Sequence, residues 1–415
     1  MLTLAALMLL SAPVFAFSLC PKDNPGCSGQ TMDIDSSIWR APADKYDLPG
    51  NGKGLTTLTE LNSVIMGHAK TQIILAGSRL GLFEFLHKGQ QTKTVIEQAL
   101  GLKRLDGSTR PIDALLLGTT SLGLTLLDNR DKTYQNCPVI EALLVSGGWK
   151  TIADLIDLEG IIKYKGEFHY VESLKQDTNV GLQEWPGTAD NLYARLPDTP
   201  GAQKIFYDLM NSFTAYSVPC VSNVSAVARS AKKMLDVGGG AGHGAIHMAK
   251  NFPNLELTLW DQHETVAIPK ALIHSAGLDA RIGLRAGSFL SDPWPDAKSH
   301  DAVLFMHQSV IWSKKILLEV FKKAFDMLPP GGGIVIFNSF ANDDLDGPEW
   351  AGLDSVYFQS IPVSSGGYIW SMGQVEEFLK AVGFQNPLRH NCDLWTPHAV
   401  LEAYKPDCES SSCVA

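Results

Sequence analysis
The run Asp236-Val237-Gly238-Gly239-Gly240-Ala241-Gly242-His243-Gly244 holds the residue types and spacing that most clearly serve chemistry. Met234-Leu235-Asp236-Val237 reads as a short buried strand, and the glycines follow at its end. Glycine there lets the backbone take φ values closed to other residues and lie close against a ligand. The spacing is D-x-G-x-G-x-G, offset from the phosphate-cradling G-x-G-x-x-G, and no Walker lysine follows. Roughly 20 residues on, a second strand ends in Trp260-Asp261, where a carboxylate accepts both hydroxyls of a ribose. After the next strand, Arg285-Ala286-Gly287-Ser288-Phe289-Leu290 borders a planar base, with Phe289 stacking on it. Paired C-x-x-C spacing is missing among the seven cysteines, so no metal is expected.

These residues need a scaffold. Apolar strands at 234–237, 255–260, 301–306 and 334–337 alternate with helical segments, which predicts a mostly parallel sheet with helices on both faces. Ahead of it, helical spacing over 58–86, a helix over 94–100 stopped by Gly101, a helix over 110–122 and a hairpin around Asp128-Asn129-Arg130-Asp131 outline a winged-helix module. A DNA reader would present Arg, Lys, Asn and Gln on its second helix. That helix carries one basic residue and a broad apolar face, and the chain's net charge is −10. Packing or homodimerisation is therefore expected, and nucleic acid is not. Residues 140–228 are predicted mostly helical and rich in aromatics.

Hydrophobic residues at 45% and charged residues at 19% describe an ordinary globular chain. Residues 1–16 form one uncharged apolar block, too short to span a bilayer, ending in Val14-Phe15-Ala16. This reads as a signal peptide, predicting entry into the secretory pathway and no membrane in the mature form. An algal plastid and secretion are the destinations considered. The predicted division is signal peptide 1–16, flexible leader 17–54, winged-helix-like dimerisation domain 55–140, helical linker and pocket region 141–230, catalytic domain 231–405 and flexible tail 406–415. Cys20 and Cys27 in the leader, with Cys408 and Cys413 in the tail, are read as bystanders or local bridges.

Residues 58–404 resemble the class I S-adenosylmethionine-dependent methyltransferases of the O-methyltransferase type. The D-x-G-x-G-x-G run, Asp261, Leu328-Pro329-Pro330-Gly331-Gly332-Gly333 and Val382-Gly383-Phe384 all match that family's order. The resemblance implies S-adenosylmethionine as cofactor, a Rossmann-like sheet, and cofactor contacts from Gly238, Gly240, Asp261, Ser288 and Phe289. Asp236, Gln262 and Met306 join that set. Phe206-Tyr207-Asp208-Leu209-Met210 resembles the helix whose methionine lines the reaction centre, so Phe206 and Met210 are expected at the substrate.

The departures from the family carry the substrate argument. Phenol-methylating members have His-Asp-Trp after the fourth strand, the His removing the substrate proton. Here the run is His307-Gln308-Ser309-Val310-Ile311-Trp312, with Val310 at the position of the base and Asn338 at that of its acidic partner. Neither side chain acts as a base at neutral pH. A thioether sulfur attacks a methyl group without losing a proton. The pattern is similar to the S-methyltransferases of dimethylsulfoniopropionate synthesis, which convert 4-methylthio-2-hydroxybutyrate. That reading expects a small thioether acid held by Arg195 and Tyr193, with His307, Trp312, Trp350 and Tyr357 around it. The alternatives are an O- or N-methyltransferase of a small aromatic acceptor with His307 as a displaced base, and a non-catalytic cofactor-binding dimer.

Overall fold
The computed structural model describes residues 54–145, 150–199, 201–263, 265–364 and 366–407. The apolar block 1–16 and Cys20, Cys27, Cys408 and Cys413 lie outside the described residues. Helix α1 (Leu58–Ile65) opens with a reciprocal cap. The Thr57 hydroxyl accepts from the Glu60 N–H at 3.2 Å, and the Glu60 carboxylate accepts from the Thr57 N–H at 2.8 Å. The helical spacing over 58–86 resolves into three pieces: α1, α2 (Gly67–Arg79) and α3 (Leu82–Leu86). Gly81, at φ 74°, breaks the run before α3.

Helices α4 (Lys93–Ala99) and α5 (Arg110–Ser121) follow, Pro111 lying in the first turn of α5. Strands β1 (Gln91–Thr92), β2 (Thr125–Asp128) and β3 (Thr133–Asn136) form a small sheet in the order β1-β3-β2. Leu82, Phe83, Ile96, Ile112 and Leu116 are buried between these helices. Several large apolar side chains of the same region stay exposed: Leu58 at 79%, Val64 at 66% and Leu117 at 73%.

The second sheet has seven strands: β4 (Lys233–Val237), β5 (Glu256–Asp261), β6 (Ile282–Ala286), β7 (Ala302–Met306), β8 (Gly333–Ser339), β9 (Gln385–Asn391) and β10 (His398–Tyr404). Their order is β6-β5-β4-β7-β8-β10-β9, and β10 runs antiparallel to both of its neighbours. β7 and β8 are buried along their whole length, as expected of strands covered on both faces. Successive side chains serve opposite cores. Met234, Leu257, Leu304 and Phe337 pack on one side, and Leu235, Val237, Phe305 and Ile336 on the other. The order reverses at β4: β5 and β6 extend one way from it, β7 and β8 the other. In open α/β sheets ligands bind at such a reversal, beyond the strand C-termini. The glycine run sits there.

One long helix, Ala202–Val224, roofs that crevice and packs on the helix His243–Asn251. A disulfide between Cys220 on this helix and Cys392, just after β9, ties the roof to the far edge of the sheet, with the two Cα atoms 5.7 Å apart. The bond closes a separation of 172 residues, so the chain-entropy gain is large, with about 2–4 kcal/mol typical for a native bridge. Cys220→Ala is expected to lower the unfolding free energy from urea titration by that amount, with a matching fall in midpoint, and reductant should bring the parent protein to the same value. A midpoint indifferent to both would show that the bridge does not form.

Candidate active site
At the C-terminal end of β4 the backbone turns through Gly238 (φ 69°) and Gly240 (φ 56°). A Cβ on Gly238 would stand 2.4 Å from the Gln308 amide, whereas one on Gly240 would meet nothing within 4 Å and would project into open space. The loop is thus bare at Gly240, on the side open to a ligand, and tight against Gln308 at Gly238. The Gly238 N–H donates to the Trp260 carbonyl at 2.8 Å, and the Gly240 N–H to Asp261 Oδ2 at 2.7 Å. Asp261 Oδ1 accepts from the Gln262 N–H at 2.7 Å. Burial raises its carboxyl above the ordinary range, against the opposing pull of those N–H groups.

Asp236 lies behind the loop, 1% exposed, and its Oδ1 has no hydrogen-bond partner. Burial, and then the neighbouring Asp261, push it up to about 7. One buried and one half-buried carboxyl group, with one orphaned acceptor, fit a cofactor with ribose hydroxyls, an ammonium and a sulfonium. Phe289 offers an apolar wall between Trp260 (6.5 Å) and Trp312 (5.9 Å). Asp236, Gly238, Gly240, Asp261, Gln262, Ser288, Phe289 and Met306 all line one cavity of about 620 Å³.

The same cavity continues into an aromatic chamber. Phe206, Met210, Trp312, Trp350, Tyr193 and Tyr357, the residues expected at the substrate, line it together with His307. His307 stands just past β7 at φ 58°, its N–H donating to the Phe337 carbonyl at 2.9 Å. Its ring is packed between Phe213 (5.4 Å), Phe337 (5.2 Å) and His398 (5.2 Å), and its Nε2 is enclosed without a partner. Burial drives its pKa down to about 3, so the imidazole is neutral. Val310, 4% exposed, also faces the cavity, so the position expected to hold the family's base is filled by hydrocarbon. Asn338 is spent internally: its Nδ2 donates to Ser309 Oγ at 3.0 Å and its Oδ1 accepts from the Ser339 N–H at 2.8 Å.

Arg195 departs from expectation. Its Nε donates to the Ala189 carbonyl at 2.6 Å, and one terminal nitrogen to the carbonyls of Leu182 and Trp185 at 3.0 and 2.9 Å. Arg195 is not among the residues lining the cavity. In the helix Leu192–Arg195, residues two apart point to opposite sides, so facing Tyr193 inward turns Arg195 away. Lys163 and Asp354 were missed. They meet in the cavity wall at 2.8 Å although 191 residues apart. The available signal was weak: one charge inside the apolar run Ile161-Ile162-Lys163-Tyr164.

The two titrating groups make a pH prediction. His307 falls from 6.5 to about 3, so between those values the unfolded chain binds the extra proton and stability is lost as pH falls. Asp236 rises from 3.8 to about 7, so the folded chain holds the extra proton and stability is lost as pH rises through that window. Each slope is about 1.4 kcal/mol per pH unit, and the two oppose each other between pH 4 and 6.5. His307→Phe is expected to remove one of them. Urea titrations of the cofactor-free protein should then show the variant losing stability, relative to its parent, by about 1.4 kcal/mol for each unit of rising pH. Parallel pH curves would mean that His307 is not held neutral.

Comparison with known proteins agrees with this geometry. Residues 175–385 match the O-methyltransferase domain family. L-tyrosine C(3)-methyltransferase of Streptomyces lavendulae is 34% identical over 86% of this chain and 95% of its own length. 3-Hydroxy-5-methyl-1-naphthoate 3-O-methyltransferase of Streptomyces sahachiroi is 29% identical over 72% of this chain and 82% of its own. Among solved structures, the S-adenosylmethionine-dependent methyltransferase SibL superposes with a TM-score of 0.72 at 36% identity, over 84% of this chain and 100% of that one. The chain belongs to the O-methyltransferase domain family and is an S-adenosylmethionine-dependent methyltransferase.

Proposed function
We propose that this chain methylates a small hydroxylated aromatic acceptor. The observation that carries the reading is His307: a neutral imidazole with an enclosed, unpartnered Nε2 in an aromatic-walled chamber that joins the glycine loop. S-adenosylmethionine supplies an electrophilic methyl group. The residues of this chain do the rest. Asp261 takes the ribose hydroxyls, Gly238 and Gly240 let the cofactor approach, and Ser288, Phe289, Gln262 and Met306 border it. His307 accepts the proton of the acceptor hydroxyl, and the aromatic walls exclude water.

Transfer to the ring carbon beside the hydroxyl is favoured over transfer to the oxygen. A methyl group aimed at that carbon leaves the hydroxyl off the transfer axis, so its base must be displaced from the usual position. The C–C bond forms as the C–S bond breaks; the ring hydrogen at that carbon is then lost as a proton and the oxygen regains one from His307, which restores the aromatic ring and the neutral imidazole. Val310 at that position and the free imidazole at His307 fit such a displacement. The 34% identical relative is named for methylation of a tyrosine ring carbon. The thioether-acid reading has less support: the relatives' names describe aromatic acceptors, and the Arg195 assigned to the carboxylate is occupied by backbone carbonyls. Incubation with phenol, aniline and thioether-acid acceptors, with mass and NMR analysis of the products, tests it. Methylation of the thioether acid alone would overturn the proposal.

Two further assignments belong to this reading. The exposed Leu58 and Val64 of α1 and Leu117 of α5 support a homodimer through these N-terminal helices, since two-fold pairing covers such side chains on both copies at once. Light scattering at micromolar concentration is expected to give twice the chain mass, and Val64→Lys with Leu117→Glu to give the monomer. The Cys220–Cys392 bridge, with the apolar block 1–16, supports an oxidising destination reached through the secretory pathway. A tagged full chain recovered from cytosol in reduced form would count against it.

A further inference from the structure
One wall of the acceptor chamber is charged, which a plain phenol does not call for. Lys163, 5% exposed, ends a π-helical stretch, Leu158–Lys163. Its ammonium lies 2.8 Å from Asp354 Oδ1 and 2.8 Å from Glu159 Oε1, and 5.0 Å from the centre of the Tyr357 ring. Asp354 and Tyr357 are three residues apart on the helix Glu349–Ser360, hence on one face. Tyr193 reaches the same place from the helix Leu192–Arg195. Three segments of chain, distant in sequence, therefore converge on one polar cluster. Lys163, Asp354, Tyr193 and Tyr357 all line the cavity.

The cluster has unused capacity. Asp354 gives Lys163 only Oδ1, and its side chain is 19% exposed. Tyr357 is 5% exposed, and its hydroxyl, beside that of Tyr193, has no hydrogen bond of normal geometry. Leaving such a group unpaired is costly unless a ligand completes it. The charge balance also points outward. Burial alone would discharge Lys163, but Asp354, Glu159 and Glu167 more than offset this and keep it charged. Burial pushes Glu167 up to about 7, so it carries only part of a charge. Asp354 and Glu159, both 2.8 Å from the one ammonium, leave about one negative charge in excess, which a further cation fits.

We infer that this wall is the subsite for the amino-acid head of the acceptor, making the substrate class free aromatic α-amino acids. The free Asp354 Oδ2 accepts from the α-ammonium. The Tyr193 and Tyr357 hydroxyls donate to the α-carboxylate, in the field of Lys163. Spacing agrees. Tyr193 packs on Phe206 at 5.5 Å and His307 on Phe213 at 5.4 Å. Those two phenylalanines are seven residues apart on one helix, about 10 Å at 1.5 Å per residue. That span accommodates an aromatic ring reaching His307 and its side-chain head at Tyr193. The assignment rests on the aromatic-acceptor reading.

Calorimetry on the full chain with S-adenosylhomocysteine present separates the two. The probes are L-tyrosine, L-tryptophan and L-kynurenine, each beside its decarboxylated amine and its deaminated acid, with p-cresol as the headless ring. In at least one ring series the complete amino acid is expected to bind ten- to a hundredfold more tightly than either truncated partner. Asp354→Asn should abolish the advantage that the ammonium confers while leaving the deaminated acid unchanged, a pattern that a folding defect would not produce. Should the variant prove unstable, Tyr357→Phe is expected to weaken the acids and spare the amines. If truncated ligands bind as well as complete ones in every series, the subsite is wrong, while methylation of any phenol would keep the aromatic reading. Tight binding of an amino acid with no phenol methylated would keep the subsite and overturn the acceptor chemistry.

Discussion

Asp261→Ala is expected to weaken S-adenosylmethionine binding by one to several decades in Kd while the chain still folds. A carboxylate accepting two ribose hydroxyls contributes about 1.5–3 kcal/mol through each charge-assisted bond, and alanine loses both. The effect reaches beyond the ribose. Asp261 Oδ2 also holds the Gly240 N–H at 2.7 Å and Oδ1 the Gln262 N–H at 2.7 Å, so the variant loosens the loop that must lie against the cofactor. The fold should survive, because β5 is held by parallel pairing to β4 and β6 and by the fully buried Leu259 and Trp260. Asp261→Asn should fall between, keeping shape and losing charge. Calorimetric titration gives the answer directly, and unchanged affinity in the alanine variant would remove Asp261 from the cofactor site.

The second large effect is expected at His307. Phenylalanine fills nearly the same space among Phe213, Phe337 and His398 but cannot take a proton. General-base removal commonly costs 10²- to 10⁴-fold in rate, most where the base's pKa lies near the working pH. Burial makes His307 a weak base, so kcat of His307→Phe should fall by about 10²-fold, the low end of that range, with cofactor affinity unchanged. The pH profile of the parent enzyme alone does not reveal this base. Burial holds His307 near 3, so its acid limb lies far below the ordinary histidine range, and kcat should stay flat on its account from weakly acidic to weakly basic conditions. As the methyl group leaves a sulfonium, a positive charge disappears from the cofactor. The proton arriving on His307 replaces it, so the dry pocket never holds a net change of charge. Single-turnover rates of parent and variant with saturating acceptor check the claim. A variant with the parent's rate would show that no proton passes through His307.

The features that were legible in the sequence are those in which a local signal and a local structure coincide. The glycine run and Asp261 each follow a strand that can be read from three or four apolar residues, and both line the same cavity. The alternation of strands and helices was enough for a mostly parallel sheet. Val310 shows where a reading of single positions stops short. The base is missing from its expected position, as the sequence states, yet the conclusion that no proton needs to move depended on knowing what else faces that spot. His307, three residues earlier, is brought there by a left-handed turn after β7. Packing among three rings keeps it neutral.

Arg195 fails for a directional reason: adjacent positions on one turn of helix look in different directions, and only packing decides which of them faces the cavity. The Lys163–Asp354 pair and the Cys220–Cys392 bridge join residues 191 and 172 positions apart. No periodicity reports such pairs: the bridge depends on the roofing helix reaching the β9 edge of the sheet, and the ion pair on the helix Glu349–Ser360 packing against the helix Tyr164–Glu167 that follows Lys163. The sequence alone therefore determined the sheet, its glycine turn and the cofactor. The tertiary structure decided which polar side chains share the acceptor chamber, since burial and charge pairing there are properties of segments that become neighbours only once the chain is folded.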